Sequence, residues 1–236
     1  MKRALRRRWL AVALTSVCAS MLAACNPFSP TYDFRYRITV EVDTPQGVRT
    51  GSSVWESRAS PGSGIPDSSI STGFSGEAVA VDLPGGTLFA LLKPPSLDGD
   101  YAVGVVISQY QANYPDVGKD PVNGWKEVTR RVQADRSLTT LEPRFYPLLV
   151  RFGDLQNLAS VERVDPADLS ARFGSGVRLR RITVQVTDDK VTMGNIMERL
   201  PWLEAHKGSF IKVPWEMSRA DRPLGARINP ADFIRK

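Results

Sequence analysis

One histidine and two cysteines in 236 residues leave several kinds of chemistry without their usual groups. A zinc site draws on several Cys and His ligands, and His206 stands alone. A nucleophile–base–carboxylate triad needs partners that one isolated histidine does not announce. His206, between Ala205 and Lys207, is therefore expected at the surface. Both cysteines, Cys18 and Cys25, lie near the start, so the rest of the chain has no disulfide and depends on its core. No glycine-rich phosphate loop is present, and the expectation is no cofactor and no metal. The apolar run Trp9 to Leu22 has 14 residues, short of the roughly 20 that span a membrane.

Acidic residues are absent before Cys25. Met1-Lys2-Arg3 and Arg6-Arg7-Arg8 precede that apolar run, and Ala23-Ala24 close it. Basic, apolar, small is the order of a secretory leader. Leu22-Ala23-Ala24-Cys25 resembles the bacterial lipobox, an aliphatic residue and two small ones before a cysteine. The resemblance implies a signal peptide over residues 1–24, diacylglycerol in thioether linkage on Cys25, cleavage before it, and acylation of the new amino terminus. A small side chain admits the peptidase to the backbone, and the thiol is the nucleophile at hand for a lipid. Two or three acyl chains hold a protein where one gives only marginal binding. Cys25 is thus expected to be an anchor that ties the protein to a membrane.

Arg6-Arg7-Arg8-Trp9-Leu10 is also similar to a twin-arginine export motif, but Leu5 and Trp9 depart from it. Export by a plain basic leader is the simpler expectation. Asn26 follows the cysteine, not the aspartate that retains lipoproteins at the inner membrane. By resemblance to Gram-negative sorting, the expected location is the outer membrane, facing the periplasm.

The formal charge of +6 belongs to the leader. Its five cations removed, 26 basic side chains face 25 acidic ones, a charge of +1. That balance gives no argument for nucleic acid. Without residues 1–24 the chain keeps 212 residues, enough for one sizeable core.

Residues 25–33 read as a tether, kept extended by Pro27 and Pro30. Residues 34–236 read as one β-rich α+β domain of antiparallel sheets, or a sandwich, with a few short helices. Phe34, Tyr36, Ile38, Val40 and Val42 alternate with Arg35, Arg37, Thr39, Glu41 and Asp43, the period-two pattern of a half-buried strand. A turn at Thr44 to Gly47 predicts a return strand over Val48 to Ser57. Ala59 to Gly73 is expected to be a surface loop, Pro84-Gly85-Gly86 a second hairpin turn, and Tyr101 to Tyr110 a strand from its β-branched residues. Asn113 to Trp125 reads as a loop, and Leu148 to Phe152 and Val177 to Thr187 as strands. Short helices are predicted from a capping Asp165 and a first-turn Pro166 toward Phe173, stopping at Gly174, over Asn195 to Leu203 with a break at Pro201, and after Asn229.

No catalytic constellation emerges. Gly73-Phe74-Ser75-Gly76-Glu77 approximates a nucleophile elbow, but Glu77 replaces its last glycine. Asp98-Gly99-Asp100, and Asp116 with Asp120 and Asn123, lack the spacing of a calcium loop. Arg35, Arg37, Arg178, Arg180 and Arg181 would form a basic patch for anionic lipid or glycan if their strands are neighbours; the plainer alternative is a solvated face balanced by Glu41 and Asp43. Trp125, Trp202 and Trp215 are expected at core edges, the alternative being stacking surfaces.

"YRITVEVDTPQG…GSSV" and "FGSGVRLRRITVQVTDDKVTMGNIMERLPWL" resemble segments of a set of proteobacterial proteins with no assigned activity. The resemblance implies a Gram-negative single-domain protein and no mechanism. Two functions compete on these residues. One is a non-enzymatic, lipid-anchored protein that binds or scaffolds an envelope protein or glycan. The other is a cell-wall or glycan hydrolase, since paired carboxylates need no histidine.

Overall fold

Unbroken alternation from Phe34 decides the first layer. The computed structural model describes residues 32–61, 70–115 and 124–236; the leader, Cys25 and the tether as far as residue 31 lie outside them. Strand β1 (Phe34–Thr44) buries every second residue, Phe34 through Val42, in one row. It pairs antiparallel with β2 (Gly47–Pro61) on one side and β9 (Arg178–Val186) on the other. With β3 (Ile70–Glu77), β6 (Thr139–Thr140) and β10 (Ile234–Arg235) they make a six-stranded sheet in the order β10-β3-β2-β1-β9-β6.

A second sheet, β4-β5-β7-β8, is built from Val79–Leu83, Gly86–Ala90, Leu149–Phe152 and Val161–Arg163. The antiparallel β-rich α+β class read from the sequence is the class observed. The sheets approach closely where β2 meets β4. A Cβ on Gly51 would lie 2.1 Å from the Ala80 carbonyl oxygen, so glycine is needed there.

The second sheet is buried on both faces, which explains the continuous apolar run Leu88-Phe89-Ala90-Leu91-Leu92. Leu88, Ala90 and Leu92 face the first sheet, with Tyr36, Trp55 and Ile38 in the same core. Phe89 and Leu91 face the other way, into a core closed by residues 196–234. Phe89, Phe152, Phe210 and Phe233 meet there with ring centroids 5.6–6.2 Å apart. The carboxy-terminal part is therefore a third layer, mostly without regular structure.

Helix α1 (Tyr101–Asn113) stands where the branched residues predict a strand. Its buried residues Ala102, Val105, Val106 and Gln109 recur at helical spacing. Val103 and Ile107 are half-buried against the same core, which blurs the period and leaves β-branching as the misleading local signal. Tertiary contacts outweigh that preference: the Tyr36 hydroxyl donates to the Ala102 carbonyl, and the Ser57 hydroxyl donates to the Val103 carbonyl at 3.2 Å.

The expected loop at Ala59 to Gly73 is also narrower. Ala59 pairs with Thr72 and Arg58 with Gly73, because backbone hydrogen bonds extend both strands where side chains show no period. Only residues 62–69 there are undescribed. The Asn113 to Trp125 loop shortens likewise, since α1 runs to Asn113 and α2 covers Gly124–Ala134. Helix α3 (Ser170–Phe173) starts later than the predicted cap at Asp165 and Pro166 and has no side-chain cap, though it stops at Gly174 as expected. Helix α4 (Asn195–Arg199) ends before a 3-10 turn at Pro201–Leu203, and Asn229 caps the turn at Pro230–Asp232 as predicted. Among the described residues, no helix is long and apolar enough to cross a membrane.

Candidate functional site

The third layer contributes three arginines to one basic cavity. Lys93, just beyond β5, and Arg219, Arg222 and Arg227 line a cavity of about 460 Å³, with Leu97 and Ala226 as its apolar members. Local chemistry sets the arginines. Pro223 starts a 3-10 turn over Leu224–Ala226, closed by the Arg227 amide on Leu224 at 2.8 Å. Gly225 lets that turn pack against Ile211 within the same layer, where a Cβ would lie 2.7 Å from the Ile211 side chain. On the other side, Pro94-Pro95 breaks the chain, and Leu97 turns through a φ of 66°, unusual for a branched residue. Burial of Leu97 in the second core holds this turn in place.

Two of the four cations have carboxylate partners. Lys93 meets Asp232 at 3.0 Å, and Arg219 is ion-paired with Asp98. Arg222 instead donates to the carbonyls of Met217 at 3.2 Å and Trp215 at 3.4 Å. Arg227 donates to the Ser96 carbonyl at 3.3 Å. Neither forms an ion pair among the described residues, so two guanidinium groups remain uncompensated at the cavity. Trp215, on the loop that Arg222 grips, is 84% exposed. That corrects the expectation of an edge-packed tryptophan at this position. Trp202 does pack at the core edge, donating to the Leu155 carbonyl at 2.7 Å beside Phe152 and Phe210.

The arginines singled out in the sequence are arranged differently. Strands β1 and β9 are neighbours, but their antiparallel register sets Arg37 opposite Gln185 and Glu41 opposite Arg181. Arg35 and Arg37 thus lie about 13 Å or more along the strand from Arg178, Arg180 and Arg181. Arg37 meets Asp189 at 2.5 Å, Arg35 meets Glu56 at 3.6 Å, Arg181 meets Glu41 at 2.8 Å and Arg180 meets Asp43 at 3.7 Å. The balance by Glu41 and Asp43, the plainer of the two sequence readings, is thus present. Arg178, opposite Asp43, remains exposed.

A groove of about 340 Å³ is lined by Asp98, Asp100, Tyr101, Gly104 and Tyr146 among others. Burial raises the Tyr146 hydroxyl above its ordinary range. Both carboxylates are engaged, Asp98 by Arg219 and Asp100 by Arg235 at 2.9 Å. Asp116, Asp120, Asn123 and Cys25 lie outside the described residues. Among the described residues, no group of three or more His, Cys, Asp or Glu is placed to hold a metal ion.

His206 is half-buried, not at the open surface: its Nε2 lies 3.0 Å from the Ser209 carbonyl, and its ring meets Trp202 and Phe210. The elbow-like Gly73 to Glu77 is part of strand β3, and Ser75 receives a hydrogen bond from Arg58 at 2.8 Å. No family profile, no curated protein and no solved structure matches the chain.

Proposed function

We propose that the chain is a lipid-anchored envelope protein, held at the periplasmic face of the outer membrane through Cys25, whose domain binds an anionic envelope component. The observation that carries this reading is the cavity lined by Lys93, Arg219, Arg222 and Arg227, where two guanidinium groups meet no carboxylate among the described residues. A guanidinium presents a rigid fork of donors to anionic oxygens, which suits recognition without bond cleavage. The resemblance of Leu22 to Cys25 to a lipobox supports the anchor. The hydrolase alternative draws less support, since both carboxylates at the open groove are ion-paired with arginines.

The test is retention of the detergent-solubilised full chain on immobilised envelope fractions. Retention should fall with rising salt and disappear in Arg222→Glu with Arg227→Glu. Retention untouched by both changes would contradict the proposal, and turnover of a cell-wall fragment that depends on a pair of carboxylates would favour the hydrolase instead. Mass spectrometry of the extracted protein should also find an acylated Cys25 peptide.

A further inference from the structure

We infer that the anion taken by the arginine cavity is the phosphate of a membrane-lipid headgroup, and that Trp215 seats in the same lipid surface. This rests on the proposed function and names its ligand. The cavity's chemistry selects a headgroup over an acyl chain. Four charged heads line it, and Leu97 and Ala226 are its only apolar members. Arg222 and Arg227 keep donors free for phosphate oxygens, which guanidinium groups bind in a bidentate manner.

Trp215 narrows the source of that phosphate. At 84% exposure its ring has water on nearly all sides, which a free phosphate ester in a cavity would not change. Indole rings favour the interface between headgroups and hydrocarbon, with the ring in the apolar zone and the N–H in the polar one. Arg222 donates to the Trp215 carbonyl at 3.4 Å, which sets the tryptophan's backbone next to one of the cavity's arginines. Basic side chains beside an interfacial tryptophan are the two attractions that dock a protein surface on anionic lipid.

Chain length agrees. Tyr32 is bonded to Ala59 and buried, so the domain begins there and six residues separate it from Cys25. At no more than about 3.6 Å per residue, Tyr32 stays within about 25 Å of Cys25. Such a short tether raises the effective concentration of lipid at the domain, and a weak headgroup contact suffices. The acidic neighbours have defined places: Asp221 accepts from Ser218 at 2.5 Å, and Glu216 adjoins Trp215 at the exposed loop. Neutralising Glu216 should strengthen the contact.

The test reconstitutes the native full chain in vesicles of phosphatidylcholine alone, or mixed equally with phosphatidylglycerol, with and without brominated acyl chains. The Trp215 signal is isolated by subtracting Trp215→Phe. On the anionic vesicles its emission should shift to the blue and be quenched by brominated lipid, on phosphatidylcholine neither, and Glu216→Gln should deepen the quenching. Arg222→Glu with Arg227→Glu should return the signal to the phosphatidylcholine level with thermal unfolding unchanged. A Trp215 signal that stays in water on both vesicles overturns the inference. If, in that case, glycerol phosphate or an acidic glycan still binds through the same arginines, the binding function stands and only its lipid ligand falls. If charge reversal alters the binding of no anion, both fall.

Discussion

Glu77 shows how much one side chain decides. It is 1% exposed, yet its carboxylate meets three backbone N–H groups, those of Gly194 at 2.8 Å, Asn195 at 3.1 Å and Ile196 at 3.3 Å. Its own carbonyl accepts from the Trp55 indole at 2.7 Å. One residue therefore ties the first sheet, the core between the sheets and the third layer. Glutamine has the same shape but offers one acceptor oxygen and turns an NH₂ toward donors. Glu77→Gln should cost about 1–3 kcal/mol, read from the denaturation midpoint. An unchanged midpoint would remove Glu77 from this role. In the sequence Glu77 is visible only as a flaw in a nucleophile-elbow pattern. The donors lie more than a hundred residues away, and local sequence does not announce such a partner.

At the scale of elements, the legible patterns are those in which local chemistry and packing agree. Strand β1 alternates because only one of its faces is covered, and α3 stops at Gly174 where a stop signal stands. Arg37–Val42 and Arg181–Val186, similar in sequence, pair with each other, setting Thr39 against Thr183. Helix α1 reads as a strand because its apolar residues face the core over a wide arc and carry the branching of a strand. Gly104 gives a direct check. A Cβ there meets nothing within 4 Å, so Gly104→Ala should stabilise by about 0.5–1 kcal/mol through helix propensity. Destabilisation in a denaturant titration would argue against the helix.

A second check concerns the join of β4 to α4. Arg199 donates to both oxygens of Asp82, at 2.5 and 2.8 Å. These bonds, assisted by the Thr87 hydroxyl and by the charge of Arg199, hold the Asp82 carboxyl below its ordinary value. A lowered folded-state value means that the unfolded chain takes up the proton first as pH falls. The pair's contribution is therefore fully present above the unfolded value of about 4 and is lost as pH drops through the lower folded value. Both side chains are partly exposed, so Asp82→Asn should cost less than about 1 kcal/mol at neutral pH. Its stability deficit relative to wild type should shrink on acidification in urea melts across pH. A deficit that grows toward acid would have the wrong sign.

For the whole molecule, the domain is a stack of three layers, and the last supplies Arg222 and Arg227 to the basic cavity. Alternation makes the arginines of β1 and β9 visible in the sequence, and register then sets most of them against acids. Arg222 and Arg227, which have no such partner, lie in a stretch of Pro and Gly with no period, and with Arg219 they join Lys93 only through the fold. Three arginines around Pro223 are the one local hint. Whether this cavity takes an anion can be read from the Nε–Hε resonances of Arg222 and Arg227 in the full chain during titration with glycerol phosphate and with an acidic glycan. Both resonances should move with saturation for at least one of these anions, while those of Arg37 and Arg181, already held by Asp189 and Glu41, stay still. Arg222 and Arg227 unmoved by every anion, or all four moving together without saturation, would contradict anion binding in the cavity.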